Sequence, residues 1–285
     1  MFQKSKNMKI IYFGSDLFSN CLSLLIRKRI SIEVVFINDL QGNANFIKKI
    51  SDENNIKWRS DRPVKEILNQ YISIDTTIFI VADYGYILPK TDVQYAVNIH
   101  PSLLPKGKGP TPLTYLIDNP EYAGVTIHKL TETPDDGDIL VQEKFDIDHN
   151  ETISSLMVKS QLLAESLLEK LLNDFNEIYD KAIPQVKALS SYQAIPSTER
   201  RFVTWSESTT RFRQALRQYG HFGILVELDK QLYITSEAEV TDFDHSFLPG
   251  RVIFEDFSII SIAISGGFVI FTKRSLMLIN PTSNR

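Results

Sequence analysis

Short runs of β-branched and aromatic residues alternate with a helix-forming segment in the first part of the chain. The runs are Lys9 to Gly14, Ile32 to Ile37 and Thr77 to Ala82, and Asn43 to Asp52 favours a helix. Strands that alternate with helices form parallel sheets, because a helix returns the chain to the edge where the next strand begins. The sequence therefore predicts an α/β fold with a Rossmann-like parallel sheet.

A polar pair ends another apolar run of this kind. Ala96 and Val97 lead into Asn98 and His100, and Pro101 stops regular structure immediately afterwards. Because side chains on a strand alternate between two faces, Asn98 and His100 lie on the same face. Ligands of open parallel sheets bind where strands give way to loops, so this pair is a candidate functional site.

A second polar group follows in the turn Thr133-Pro134-Asp135-Asp136-Gly137. Its composition can bring the Asp135 carboxylate into a cleft. An amide, an imidazole and a carboxylate suffice to transfer an acyl group to an amine: His100 moves the proton, Asn98 binds the developing oxyanion, and Asp135 orients or charges the imidazole. Without further context, each of these residues is more often an ordinary hydrogen-bonded loop residue.

The context of these residues resembles a known family. The runs 98–105 (NIHPSLLP), 124–128 (GVTIH) and 135–140 (DDGDIL) resemble the signature of the formyltetrahydrofolate-dependent formyltransferases. That family includes methionyl-tRNA formyltransferase, glycinamide ribonucleotide transformylase and the sugar N-formyltransferases. The resemblance implies that Asn98, His100 and Asp135 are the catalytic residues and that 10-formyltetrahydrofolate is the co-substrate.

The loop after the Thr77 to Ala82 run is the candidate folate site. Its backbone and its aromatic and aliphatic side chains can surround a flat ring, although an ordinary connection between strand and helix has the same composition. The resemblance implies that this loop holds the pterin of the folate. The predicted cofactor-binding residues are Tyr84, Gly85, Tyr86, Ile87, Leu88, Thr133 and Asp135.

The loop Lys106-Gly107-Lys108-Gly109-Pro110 carries two lysines that can bind phosphate or simply face solvent. It is more similar to enzymes that act on nucleotide-linked amino sugars than to enzymes that act on tRNA. The predicted substrate-binding residues are Ser15, Lys106, Lys108 and Gly109. His128 is a second acid or base or, as we prefer, a structural histidine hydrogen-bonded to the catalytic loop.

Charge and composition argue against several classes of protein. The 31 Lys and Arg residues against 35 Asp and Glu residues give a net charge of −4, which does not favour binding to nucleic acid. The one cysteine, Cys21, excludes an internal disulfide and is expected to be a buried thiol. Gly14 lacks the GxGxxG spacing of an NAD site, and no metal site is predicted. Residues 1–7 are polar and no run is long enough to span a membrane, so we expect a cytoplasmic protein.

We predict two domains, a formyltransferase catalytic domain at 1–182 and an OB-like β-domain at 203–285, joined by a linker at 183–202. An amphipathic helix from Thr152 closes the first domain, and Ser206 is expected to cap a helix in the second. Short strands from Phe222 to Lys273 fit a small β-domain. The Trp205-Ser206 helix resembles part of the C-terminal domain of longer formyltransferases.

The predicted function is formyl transfer from 10-formyltetrahydrofolate to the amine of a nucleotide-linked amino sugar, for lipopolysaccharide O-antigen or other surface polysaccharide. The resemblance also leads us to expect a homodimer. Three alternatives stay open: a methionyl-tRNA formyltransferase, a formyltetrahydrofolate hydrolase, and a non-catalytic module that binds folate or sugar nucleotide.

Overall fold

The computed structural model describes residues 8–38, 42, 44–73 and 76–279. The polar start at 1–7 and the predicted helix start at Asn43 lie outside these residues. The chain divides into two compact units. The first reaches Ile147 and resumes over Met157–Ala194, and the second comprises Asp148–Leu156 and the chain from Ile195 onward.

The first unit is built on a seven-stranded sheet in the order β3-β2-β1-β4-β5-β6-β7. Neighbouring strands from β3 to β5 are parallel, whereas β6 runs antiparallel to β5 and β7 antiparallel to β6. The Rossmann-like parallel sheet is therefore confirmed, with an antiparallel edge added to it. The strands are β1 (Lys9–Gly14), β2 (Ser31–Ile37), β3 (Trp58–Arg59), β4 (Thr77–Ala82), β5 (Tyr95–His100), β6 (Gly124–Lys129) and β7 (Ile139–Lys144).

Both faces of the central strands are buried, which explains their nearly continuous apolar sequence. In β1, Ile10 and Tyr12 belong to one apolar cluster, and Ile11 and Phe13 belong to another on the opposite face. Helices pack on the sheet and bury these clusters. They are α1 (Ser19–Arg27), α2 (Asn45–Glu53), α3 (Lys65–Leu68), α4 (Pro112–Leu116), α5 (Ile153–Asn173) and α6 (Phe175–Asp180). Cys21 is buried in α1, as expected.

Part of the predicted linker belongs to the first unit. Ile183 pairs with Ile139 through two backbone hydrogen bonds of 2.8 Å, and Tyr192 forms a parallel bridge with Lys108. The first unit therefore includes residues 183–194 of the segment predicted as a linker at 183–202, because these residues bond to its sheet edge and loops.

The second unit is a smaller, β-rich unit, as predicted. It contains one antiparallel sheet in the order β10-β13-β12-β11 and a second in the order β14-β9-β8. Its elements are α7 (Thr198–Arg201), α8 (Thr209–Tyr219), β8 (Ile224–Leu228), β9 (Gln231–Thr235), β10 (Glu239–Asp242), β11 (Val252–Glu255), β12 (Ile259–Ile264), β13 (Gly267–Thr272) and β14 (Met277–Leu278). Its OB-like character stays a prediction.

The cap of α8 was predicted two residues too early. Ser208, not Ser206, precedes the helix, and its hydroxyl accepts a hydrogen bond from the Arg211 backbone N–H. The Ser206 hydroxyl instead contacts the Thr204 hydroxyl at 3.0 Å. In the described part of the chain, every helix is too short or too polar to span a bilayer.

Candidate active site

Strand β5 presents Asn98 and His100 at its carboxyl end. Asn98 lies opposite His128 of β6, and its Nδ2 is 3.0 Å from His128 Nε2. The same Nδ2 also donates a long hydrogen bond of 3.4 Å to Asp135 Oδ1. Asn98 therefore links the predicted pair on β5 to the carboxylate of the turn that precedes β7.

His100 is 5% exposed and faces two oxygen atoms. Its Nε2 is 2.8 Å from the Gly107 carbonyl oxygen, and its Nδ1 is 3.4 Å from Asp135 Oδ1. Because a carbonyl only accepts hydrogen bonds, Nε2 carries the hydrogen and donates it to Gly107. In the neutral ring, Nδ1 is then the unprotonated nitrogen beside Asp135.

Asp135 is held by both its carboxylate and its backbone. The Gly109 N–H donates to Asp135 Oδ2 at 2.9 Å, while Gln185 Nε2 donates to the Asp135 carbonyl at 2.8 Å. Asp135 has φ +59°, a left-handed conformation that aspartate adopts more readily than most residues. Gly137 follows because a Cβ there would lie 1.8 Å from the Lys129 carbonyl oxygen. The turn therefore favours aspartate at 135 and needs glycine at 137.

Burial and charge act in opposite directions on this pair. Burial lowers the pKa of His100, although the Asp135 carboxylate and the Gly107 carbonyl favour the protonated ring. Burial raises the pKa of Asp135, but the electrostatic influence of the His100 and His128 imidazoles and the hydrogen bond from the Gly109 N–H bring it down to about 2. At neutral pH, Asp135 is a carboxylate and His100 is largely neutral. We expected Asp135 to raise the pKa of His100; its charge does act that way, but burial is the larger effect.

His128 fixes the orientation of the Asn98 amide. Its Nδ1 donates to the Lys129 carbonyl at 2.8 Å, so its Nε2 accepts from Asn98 Nδ2. His128 is 1% exposed, and its Nε2 lies 3.7 Å from Asp135 Oδ1. These contacts correspond to the structural interpretation of His128, with Asn98 as the group that it orients.

The lysines of the loop after β5 have intramolecular partners. Lys108 is buried, and its ammonium forms an ion pair with Asp136. Lys106 places its Nζ 5.4 Å from the centre of the Tyr122 ring. Their role in substrate binding stays a prediction, and the Gly109 backbone contributes through its bond to Asp135.

Ser15 and the candidate folate loop lie at the carboxyl ends of β1 and β4. Ser15 donates a hydrogen bond to the Asp83 carboxylate and is almost fully buried. Ala82 of β4 pairs with Ile99 of β5, so the loop that begins at Asp83 leaves the sheet at the edge where His100 lies.

Within this loop, Tyr84 packs against Phe13 and Tyr86 with ring centroids 5.5 and 5.6 Å apart, and Ile87 is exposed. Leu88 packs against the apolar cluster that contains Phe13. Thr133, which was also predicted to bind the cofactor, lies in the turn of Asp135 and not in this loop. Its carbonyl accepts a hydrogen bond from the Thr131 hydroxyl.

Sequence reasoning missed three groups that support the site: the Gly107 carbonyl, Gln185 and Ser191. Ser191 Oγ accepts from the Gly107 N–H at 2.9 Å, and Gln185 Nε2 also donates to the Gly137 carbonyl at 2.7 Å. Both side chains follow α6 in a segment of mixed composition, and their partners are backbone atoms. No spacing or motif in the sequence predicts hydrogen bonds from a side chain to distant backbone atoms.

Comparison with known proteins defines the family. Residues 38–172 match the formyl transferase domain. The chain is 30% identical over 195 residues to a methionyl-tRNA formyltransferase of Coprothermobacter proteolyticus, covering 67% of this chain and 64% of that protein. It is 28% identical over 282 residues to the methionyl-tRNA formyltransferase of Rickettsia bellii, covering 93% of this chain and 91% of that protein.

A solved structure shares the fold. It is a sugar 3N-formyl transferase crystallised in the presence of dTDP and 5-N-formyl-THF, with a TM-score of 0.64 and 22% identity over 96% of this chain and 98% of that one. The sequence matches and the shared α/β fold together place this chain in the formyl transferase class. It belongs to the formyltetrahydrofolate-dependent formyltransferases, and the family predicted from the sequence is confirmed.

Proposed function

We propose that this enzyme transfers the formyl group of 10-formyltetrahydrofolate to the amine of a nucleotide-linked amino sugar, for surface polysaccharide biosynthesis. The convergence of Asn98, His100 and Asp135 at the carboxyl end of β5 carries this proposal. The three groups contribute an amide donor, an unprotonated imidazole nitrogen and a carboxylate to one small region.

Each group has a distinct part in the reaction. The neutral amine attacks the formyl carbon, and Asn98 Nδ2 turns its hydrogen from the long 3.4 Å bond with Asp135 to the oxygen that becomes negative. His100 takes the proton that the attacking nitrogen loses, and the same proton then passes to the departing folate nitrogen. Asp135 stabilises the protonated imidazole from 3.4 Å.

The loop after β4 has groups that fit a folate. The Tyr84 hydroxyl is buried and, among the described residues, has no hydrogen-bond partner, so a polar group of a ligand that reached it would supply the missing hydrogen bond. Ile87 is 68% exposed, which leaves an apolar side chain for a flat ring to cover. We assign the pterin to this loop, with Tyr84, Gly85, Tyr86, Ile87 and Leu88 around it.

The charges of the second unit favour a small acceptor over tRNA. Arg211 and Arg213 of α8 form ion pairs with Glu207 at 3.1 Å and Asp242 at 2.7 Å. Arg217, the third arginine of this helix, donates to the Glu151 carbonyl at 2.8 Å. Because these cations already have partners and the chain is acidic, α8 does not offer the free basic face that phosphate backbones require.

Transfer to methionyl-tRNA is the second candidate, because the relative from Rickettsia bellii has that name and aligns over 91% of its length. It predicts tRNA binding that weakens steeply between low and physiological salt. Binding that is absent, or that does not change with salt, excludes this candidate.

The decisive experiment offers several acceptors to the same enzyme. The full chain is incubated with 10-formyltetrahydrofolate and, separately, dTDP-, UDP- and GDP-linked amino sugars and methionyl-tRNA, and products are identified by mass spectrometry. We expect one formyl group on an amino sugar, formed far more slowly by Asn98→Ala. Formylation of methionyl-tRNA alone contradicts the sugar assignment, and formate release without an amine indicates a hydrolase. The predicted homodimer and cytoplasmic location stay predictions.

A further inference from the structure

A segment outside every recognised motif contacts both loops of the candidate active site. We call residues 183–194 the strap. Its backbone bonds to the loop after β5, where Ser191 N–H donates to the Pro105 carbonyl at 3.2 Å and Lys108 N–H donates to the Ser191 carbonyl at 2.9 Å. Its first residue, Ile183, pairs with Ile139 directly after the turn of Asp135. The strap therefore joins the two loops that supply groups to the site.

The first anchor of the strap is the Gln185 side chain. Its Nε2 donates to two carbonyl oxygens of one turn, Asp135 at 2.8 Å and Gly137 at 2.7 Å. Asp135 has φ +59° directly before the first of these carbonyls, a left-handed conformation that is unfavourable for most non-glycine residues. A donor that bonds to both carbonyls stabilises this conformation and so fixes the direction of the carboxylate.

The second anchor is the Ser191 side chain. Its Oγ accepts from the Gly107 N–H at 2.9 Å, and the carbonyl of the same Gly107 accepts from His100 Nε2 at 2.8 Å. Gly107 has φ +68° and no side chain of its own, so these hydrogen bonds determine where its backbone lies. Ser191 acts on His100 through one residue, with no contact of its own to the imidazole.

The geometry points to the strap as a positioning element that sets His100 against Asp135, with Gln185 and Ser191 as its positioning residues. This inference rests on the proposed catalytic roles of His100 and Asp135. The two anchors hold opposite members of the pair whose Nδ1 and Oδ1 lie 3.4 Å apart. Loss of either anchor separates or rotates this pair while the sheet that carries His100 stays intact.

Kinetics of matched variants test the inference. Ser191→Ala removes the acceptor of the Gly107 N–H, Ser191→Thr keeps a hydroxyl, and Ser190→Ala makes the same change at the exposed neighbouring residue. We expect Ser191→Ala to lower kcat by about 10- to 100-fold with KM unchanged, since a misplacement of about 1 Å can cost about 10²-fold. Ser191→Thr restores kcat, and Ser190→Ala leaves it at the wild-type value.

A matched pair also tests the other anchor. Gln185→Met keeps the length of the side chain without its donor, and Gln185→Glu places an acceptor against two carbonyl oxygens. We expect both to lower kcat, with the larger loss for Gln185→Glu because like dipoles and charge then oppose each other. Circular dichroism at the assay temperature checks that each variant is folded. A folded Ser191→Ala or Gln185→Met enzyme with wild-type kcat overturns the inference.

A measurement without substrate separates this inference from the proposed function. In ¹⁵N-histidine-labelled full-length enzyme, the NMR titration of His100 reports the groups that face it: Asp135, His128, Lys108 and the Gly107 carbonyl. The Gly107 bond favours the protonated ring, so Ser191→Ala is expected to move the titration to lower pH, and Ser190→Ala is expected not to move it. An unchanged titration in Ser191→Ala refutes the strap. Absence of sugar formylation refutes the proposed function and leaves this test intact.

Discussion

Replacing Asp135 by asparagine isolates the charge that faces His100. The substitution keeps the size of the side chain and an oxygen that can accept from the Gly109 N–H. Asp135 Oδ1 lies 3.4 Å from His100 Nδ1, where Coulomb's law gives about 5 kcal/mol at an effective dielectric constant of about 20. The amide dipole recovers part of this energy, so we expect kcat to fall by about 10²- to 10³-fold, since about 1.4 kcal/mol corresponds to tenfold.

The acid limb of the pH profile gives an independent check of this reasoning. Asp135, with its pKa at about 2, is ionised throughout the working range, so the acid limb reports the protonation of His100. The carboxylate favours the protonated imidazole, and its removal therefore lowers the pKa of His100. We expect the acid limb of Asp135→Asn to lie at lower pH than that of the wild type.

Single-turnover formyl transfer at saturating donor and acceptor is the assay, followed across pH by mass spectrometry. Asp138→Asn is the matched control, because Asp138 lies in the same segment with its side chain 41% exposed and pairs with Lys129 at 3.7 Å. Its kcat is expected to match the wild type. A folded Asp135→Asn enzyme with the wild-type rate and an unmoved acid limb would show that the charge of Asp135 has no part in transfer.

Three further predictions address the oxyanion donor, a buried ion pair and acid stability. Asn98→Ala removes the proposed donor to the oxyanion and is expected to lower the single-turnover rate by about 10²- to 10³-fold, whereas an equal rate contradicts the proposed role. Lys108→Met leaves Asp136 without its cation. Because the Asp136 side chain is 28% exposed, we expect urea titration to show a smaller loss of unfolding free energy than the about 3–5 kcal/mol of a fully buried pair. An unchanged unfolding free energy contradicts the pairing. The pKa of Asp135 falls on folding from 3.8 to about 2, so its contribution of about 2 kcal/mol is present above pH 4 and is lost between about pH 4 and 2. Denaturant titrations across this range should show Asp135→Asn less sensitive to acid than the wild type.

The amino-acid sequence determines the parallel part of the sheet. The runs that became β1, β2 and β4 are buried on both faces, and this double burial produces their continuous apolar sequence. The antiparallel direction of β6 and β7 has no such local signature. It depends on the route of the chain between strands, which the apolar pattern of the strands does not record.

The sequence also determines that Asn98 and His100 share a face, because the period of a strand is a local property. Antiparallel β6 carries the chain away from the carboxyl end of β5, and Asp135 meets the pair only because the turn after β6 folds back to place its Oδ1 3.4 Å from both side chains. The catalytic roles of all three rest on the family signature, and the measurements above test them.

Only the tertiary structure determines which effect governs the pKa of His100 and which groups hold the site residues in place. From the sequence, Asp135 was expected to raise the pKa of His100 by its charge; in the folded protein, burial outweighs that charge and lowers the pKa. The strap looked like a linker, because backbone hydrogen bonds such as those of Gln185 and Ser191 leave no pattern of residue types. Burial and backbone contacts arise between segments that are distant in the chain, so no local period encodes them.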